Sequence, residues 1–232
     1  MDLLTYDQIK TIIQRDLDLE TEDFIQADEL LGYVNEAIDE CEAEIHKLGM
    51  EDYYFLTRGF ISLVTNQEEY DLPSDIYANK IRRIMYENGN VIFPVRRLRK
   101  DQFELYAIYK QYPPPSNFYC YMVINPTAGS KPKLLLIPKA RETSSSVCRI
   151  WYIRNANKMV DTTSVCDIPE FASFIIKFAK FKCLQKEGNP QQDSAKQELE
   201  EQRKLMQETL ENMIPDDDSK IPADFSTYTE MS

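Results

Sequence analysis

Apolar residues recur at three- and four-residue steps at both ends of the chain, and in the middle they fall into short runs separated by turn residues. Near the start, Thr5 as N-cap with Gln8 three residues on predicts a short helix in which Ile9, Ile12 and Ile13 share a face. A longer helix follows from about Asp28 to Leu48, where Leu30 or Leu31, Val34, Ile38, Cys41, Ile45 and Leu48 keep helical spacing among acidic residues, and Gly49 ends it. Towards the end, Asp167-Ile168-Pro169-Glu170 opens a helix with proline in its first turn. Its residues Phe171, Phe174, Ile175, Phe178 and Leu184 are too apolar for a surface helix, which predicts the centre of a bundle. Gly188-Asn189-Pro190 breaks it, and a last helix from about Asp193 to Met213 turns Leu199, Leu205 or Met206, Leu210 and Met213 inward.

Between these ends the pattern changes to strands. Phe60 to Thr65, Lys80 to Tyr86, Val91 to Val95, Phe118 to Ile124, Lys133 to Ile137 and Val147 to Ile153 read as six strands, with Asn88-Gly89 as a hairpin turn and a short helix from Asp101 through Tyr109. The expected fold is therefore α+β: a helical bundle from residues 1–52 and 166–213, an inserted antiparallel β-sandwich or barrel-like domain over 53–165, and an extended carboxyl-terminal arm over 214–232. In that arm the run Asp216-Asp217-Asp218 precedes four spaced apolar residues, Ile221, Pro222, Phe225 and Tyr228, too few to order the segment by burial.

Charge follows the same partition. Residues 1–52 carry 16 acids against 3 Lys/Arg, residues 53–187 carry 12 against 20, and residues 188–232 carry 11 against 4, within a net charge of −12. Such segregation predicts faces that meet different surroundings. No apolar run reaches the ~20 residues a membrane span needs, and the amino terminus has no basic segment of a signal peptide, so the expectation is synthesis in the cytoplasm and no membrane contact. Five widely spaced cysteines without a CxxC pair read as reduced, buried thiols.

Candidate chemistry is sparse. His46 is the single histidine, and Cys41 lies five residues before it, off its helical face. Six glycines form neither GxGxxG nor a phosphate-binding loop, and no HExxH occurs, so neither enzymatic activity, a cofactor nor a metal is expected. The middle block does combine aromatics (Tyr53, Tyr54, Phe55, Tyr70, Tyr86, Phe93, Phe118, Tyr119, Tyr121, Trp151 and Tyr152) with Arg82, Arg83, Arg96, Arg97, Arg99 and Lys100. Two readings stand: strand aromatics packing across a sheet, or a single-stranded nucleic-acid-binding module with a stacking platform and a cationic track.

The order of elements, with Tyr70-Asp71-Leu72-Pro73-Ser74-Asp75-Ile76, Leu134-Leu135-Leu136-Ile137-Pro138, Ile150-Trp151-Tyr152-Ile153 and then Ile168-Pro169 before two long helices, resembles the head-to-tail adaptor proteins of tailed bacteriophages. It is most similar to the short-tailed and crAss-like adaptors, also called ring, connector or head-completion proteins, over residues 1 to about 213. The resemblance implies a virion protein at the head–tail junction: a homo-oligomeric ring, usually a dodecamer, that binds the portal protein on one side and tail tube, hub or further ring proteins on the other. Genomic DNA passes through its hole without sequence specificity, and acidic helical surface is expected to face that passage. It further implies that Ile221, Pro222, Phe225 and Tyr228 dock the arm on the portal or a neighbouring copy, and that the arginine-rich patch contacts a neighbouring subunit or DNA.

Overall fold

The computed structural model describes residues 4–17, 25–88, 91–99, 102–112, 119–125, 127 and 130–213. The chain divides into two compact units, Met1–Met50 with Asn157–Ser232, and Glu51–Ala156.

The first unit is helical. Its helix α1 (Tyr6–Asp16) starts with a reciprocal capping box: Thr5 Oγ1 accepts from the Gln8 N–H at 3.4 Å and the Gln8 side chain accepts from the Thr5 N–H at 2.9 Å. Helix α2 (Ala27–Lys47) buries Leu30, Val34, Ala37, Ile38, Cys41 and Ile45, the stripe its spacing predicts. A single 3-10 turn at Pro169–Phe171 leads into α5 (Ala172–Glu187), which packs against α1, α2 and α6 (Gln192–Asn212) and so occupies the centre of the bundle. Gly188 ends α5 at φ +64°, a left-handed conformation that costs other residues a Cβ clash. On α6 the inward residues are Leu199, Met206 and Leu210; Leu205 points outward and is 53% exposed.

The second unit holds α3 (Glu51–Tyr54), β1 (Leu56–Leu63), β2 (Glu69–Asp71), β3 (Ile76–Asn88), β4 (Val91–Arg97), α4 (Phe103–Gln111), β5 (Cys120–Ile124), β6 (Lys133–Ile137) and β7 (Ser144–Arg154). These strands form one seven-stranded sheet in the order β1-β7-β3-β4-β5-β6-β2, curled until its edges β1 and β2 approach each other, so the unit is barrel-like. Two features depart from the sequence reading. The three-residue strand β2 adds a seventh strand that pairs with β6, and β4 and β5 run parallel, through Arg96 opposite Cys120 and Arg97 opposite Tyr121. A parallel pair cannot be joined by a tight turn; the segment that carries α4 supplies the crossover. The β3–β4 hairpin pairs Asn88 with Val91, so Asn88, expected at a central turn position, is instead the last residue of β3; residues 89 and 90 lie outside the described residues, as do Asp101 and Phe118.

Two layers of apolar side chains flank β5 and β6. Tyr121, Leu134 and Leu136 point into the barrel, where they meet Ile61, Leu63, Ile84 and Ile150. Cys120, Met122, Leu135 and Ile137 point the other way, where Tyr109 of α4 packs on them. Burial on both faces explains the unbroken Leu-Leu-Leu-Ile run of β6.

Leu134→Ala empties space in an interior where that side chain has no solvent exposure, and is expected to destabilise the barrel unit by roughly 2–5 kcal/mol, against about 1 kcal/mol for Thr5→Ala at the α1 cap. Trp151, the one tryptophan, lies on β7 and reports the barrel transition by fluorescence during denaturant titration, while helical circular dichroism follows the other unit.

Candidate interaction surfaces

The arginine-rich patch predicted from sequence is divided by a register shift. In β3, Ile81 stands opposite Tyr152 and Arg83 opposite Trp151, leaving Arg82 as an extra residue. With this bulge Ile81 and Ile84 both stay inside while Arg82 and Arg83 are both exposed. Arg82 turns to α3, where its Nε lies 2.6 Å from Asp52 Oδ1 and its Nη2 3.0 Å from Glu51 Oε1. Lys80 reaches the same Glu51 oxygen at 2.8 Å. Arg82 is therefore a structural cation that fastens α3 to the sheet. Arg83, Arg97 and Arg99 are exposed and make no ion pair among the described residues; Arg96 is exposed beside Arg97 where β4 passes from β3 to β5. Lys100 lies outside the described residues, as do Ile221, Pro222, Phe225 and Tyr228.

Most of the aromatic set is internal. Phe55, Tyr70, Tyr86, Tyr119, Tyr121 and Tyr152 are all buried, and the rings of Tyr86 and Tyr119 pack at a tilt with centroids 4.7 Å apart. Three of the tyrosine hydroxyls find partners at the rim of the interior. Tyr152 donates to Asp75 Oδ1 at 2.9 Å, Tyr86 donates to Glu142, and the Tyr70 hydroxyl lies 3.1 Å from Gln67 O and 3.2 Å from Val64 O of the loop that joins β1 to β2. Burial, reinforced by the Asp75 carboxylate, pushes the Tyr152 phenol up to about 12. A stacking platform needs open ring faces, and these six do not offer them.

Sequence reasoning passed over the outer side of the sheet. Arg58 and Phe60 on β1 face outward beside Trp151 and Arg149 on β7, which lie in turn beside Arg83 and Met85 on β3. The Arg149 guanidinium sits 5.5 Å from the Phe60 ring centroid and 5.8 Å from that of Trp151, and is ion-paired to Glu87. Phe60 is 47% exposed. The alternation Leu56, Arg58, Phe60, Ser62 already carried this signal, since every second residue of β1 is exposed. Round the open edge, a cleft of about 380 Å³ is lined by Gly59, Phe60, Tyr70, Leu72, Pro73 and Tyr152.

The acidic helix α2 is not an open acidic surface. Glu29 pairs with Lys186 at 2.5 Å, Glu36 with Lys182 at 2.9 Å and Glu40 with Arg203 at 3.3 Å, while Asp39 pairs with Lys158. Four of its carboxylates are thus spent on α5, α6 and the segment before them. The His46 Nε2 lies 3.7 Å from Glu42 Oε1 of the same helix. All five cysteines are free and buried, and burial raises the thiols of Cys148 and Cys183 to about 12 and that of Cys41 further, which suppresses their thiolates. Among the described residues no group of three His, Cys, Asp or Glu could hold a metal ion, and no helix is long and apolar enough to cross a membrane.

A family profile described as SU10 adaptor protein matches residues 4–220, which takes in every described element of both units. The chain belongs to the SU10 adaptor protein family. This family is one of phage head-to-tail adaptors. No curated protein matches the chain. For an adaptor, whose work is to hold larger bodies together, the features that count are exposed apolar residues and uncompensated charges. In this SU10 adaptor the outer face of β1, β7 and β3 carries both.

Burial alone would raise the pKa of Glu51, but hydrogen bonds from Lys80 and Arg82 outweigh it and hold the carboxyl below its ordinary 4.5. Because the folded value is depressed, this stabilisation is complete above pH 4.5 and disappears as pH falls through the folded value. Glu51→Gln is expected to destabilise the barrel unit by about 1–2 kcal/mol at pH 7, at the low end for a buried pair because both cations are partly solvated. Thermal melts over a pH series check it: wild type and variant should converge at acid pH.

Proposed function

We propose that the protein is a structural ring component of a tailed phage, joining the portal at the capsid vertex to the tail and letting DNA pass through the ring. The observation that carries this reading is the SU10 adaptor match along 4–220. The two-unit architecture supports it: a helical bundle with many internal ion pairs, and a rigid near-closed sheet that presents an outer face. The ring is built from about a dozen copies, the number the resemblance implies, by repeating one heterologous contact until it closes. It contacts portal on one rim and tail proteins on the other by shape and charge, without catalysis. In this reading the segment with Ile221, Pro222, Phe225 and Tyr228 docks on the portal or on a neighbouring copy. Each contact is weak alone, and repetition around the ring makes attachment durable.

Net charge supports passage without trapping. The helical unit holds 29 Asp/Glu against 12 Lys/Arg, and the barrel unit 10 against 15. Acidic helical surface towards the lumen repels phosphate, whereas an arginine lining would retain it.

Mixing the purified protein with portal from the same phage and imaging by electron microscopy is expected to show a closed ring seated on the portal. A protein that stays monomeric in solution and does not bind portal would refute the reading. A second measurement separates it from a single-stranded nucleic-acid-binding module: titration with a labelled oligonucleotide should show little binding at physiological salt, and strong binding that falls steeply with added salt would favour the module.

A further inference from the structure

We propose that the outer face of β1, β7 and β3 is the seat for helix α6 of a second copy of this chain. The inference rests on the ring reading and specifies which surfaces of adjacent copies meet.

Trp151 lies between Arg58 and Arg83 in the registers of β1 and β3, and neither arginine has an ion-pair partner among the described residues. Phe60 stands next to Arg149 and is half exposed. Trp151 is only partly buried, and tryptophan and arginine are among the side chains enriched at the energetic centre of protein interfaces. Helix α6 presents the complement. Its buried side is Ala195, Leu199, Met206 and Leu210, packed within the helical unit. Its outer side sets Glu201, Leu205 and Glu208 on one face at spacings of four and three residues. Leu205 is 53% exposed, and its two glutamates make no salt bridge among the described residues. One apolar knob between two carboxylates matches one aromatic ledge between two guanidinium groups, with opposite charges on each side.

The same face suits a nucleic acid poorly. Arg149 lies against both Phe60 and Trp151, so it is not free to pair with a phosphate, and its partner Glu87 adds a carboxylate that repels one. Both surfaces are exposed in a single copy. Pairing the sheet face of one with α6 of the next is a heterologous contact, the type that closes into a ring.

Two paired variants test the seat, in solution and on portal, by light scattering and native mass spectrometry. Arg58→Glu with Arg83→Glu gives a copy whose sheet face and α6 are both acidic. Glu201→Arg with Glu208→Arg gives one in which both are basic. Each alone is expected to self-associate at least about 10-fold more weakly than wild type, and mixing the two should restore assembly, because every contact in an alternating array is again between opposite charges. Restoration also shows that both variants fold. As an independent check, Phe60→Cys with Leu205→Cys in one chain should form an intermolecular disulfide ladder, the five native cysteines being buried. If wild type assembles while the reversal variants assemble equally well, or no ladder forms, the seat is wrong although the ring stands. Wild type that fails to self-associate even on portal overturns both. An oligonucleotide bound by wild type and lost in the Arg58→Glu, Arg83→Glu variant, with self-association unchanged, makes the face a nucleic-acid site and also ends the proposal.

Discussion

One extra residue in β3 determines how the barrel unit presents its charge. Strict alternation from Ile81 would place Arg83 inside and Ile84 outside, which buries an unpaired guanidinium and exposes an apolar side chain. The bulge at Arg82 removes that conflict, keeping Ile81, Ile84 and Tyr86 in the interior. It has two consequences of different kinds. Arg82 becomes the anchor that Glu51 and Asp52 hold, so α3 is fixed to the sheet by a buried carboxylate with two cationic partners. Arg83 is set outward beside Trp151, where it remains a surface cation.

The helical unit handles charge differently. Along the sequence the first 52 residues look like a block of uncompensated acid, but in space the carboxylates of α2 face lysines and arginines brought from α5, α6 and the segment before them. A sequence-based count of net charge registers how many carboxylates there are and is blind to which ones are matched. Among the described residues, Glu200, Glu201, Glu208 and Glu211 on the exposed sides of α6 make no ion pair. Partly exposed ion pairs of this kind contribute little each, so the bundle is held mainly by the apolar contacts of α5 with its three neighbours, and the ion pairs set which helix face meets which.

Helices were legible because their signals are local: the Thr5–Gln8 capping box, the stripe of α2 and the Gly188 stop all reappear where spacing placed them. Six strands were legible for the same reason. The seventh was not legible from periodicity, because Glu69-Tyr70-Asp71 is three residues long and owes its strand state to pairing with β6 and to the Tyr70 hydroxyl, which holds the β1–β2 loop. Equally hidden was the parallel β4–β5 pair, which depends on a crossover and on Leu98, Cys120 and Met122 finding cover together with Tyr109 of α4. At the level of surfaces, the arginines were visible as a set, but their division into a structural member and exposed members depends on the bulge. The choice between Leu205 and Met206 was open in the periodicity because the two are adjacent apolar residues; Met206, seven residues after Leu199 and four before Leu210, keeps the stripe and is buried, and Leu205 is turned out of it.

In the proposed ring, that choice constrains how α6 can be used. The helix offers two exposed sides, one with Glu201, Leu205 and Glu208, the other with Glu200, Lys204 and Glu211. A side that carries an exposed leucine is poorly suited to a water-filled passage for DNA, because it would leave apolar surface permanently solvated without adding repulsion. A side with Glu200 and Glu211 beside Lys204 is better suited to it, since it carries a net negative charge and exposes no large apolar side chain. If the leucine-bearing side meets the neighbouring copy, the other remains open to solvent, and one helix serves both as the contact between subunits and as acidic surface within the ring. The division needs no further residues: the 3.6-residue period places the two sets on different sides of the same cylinder.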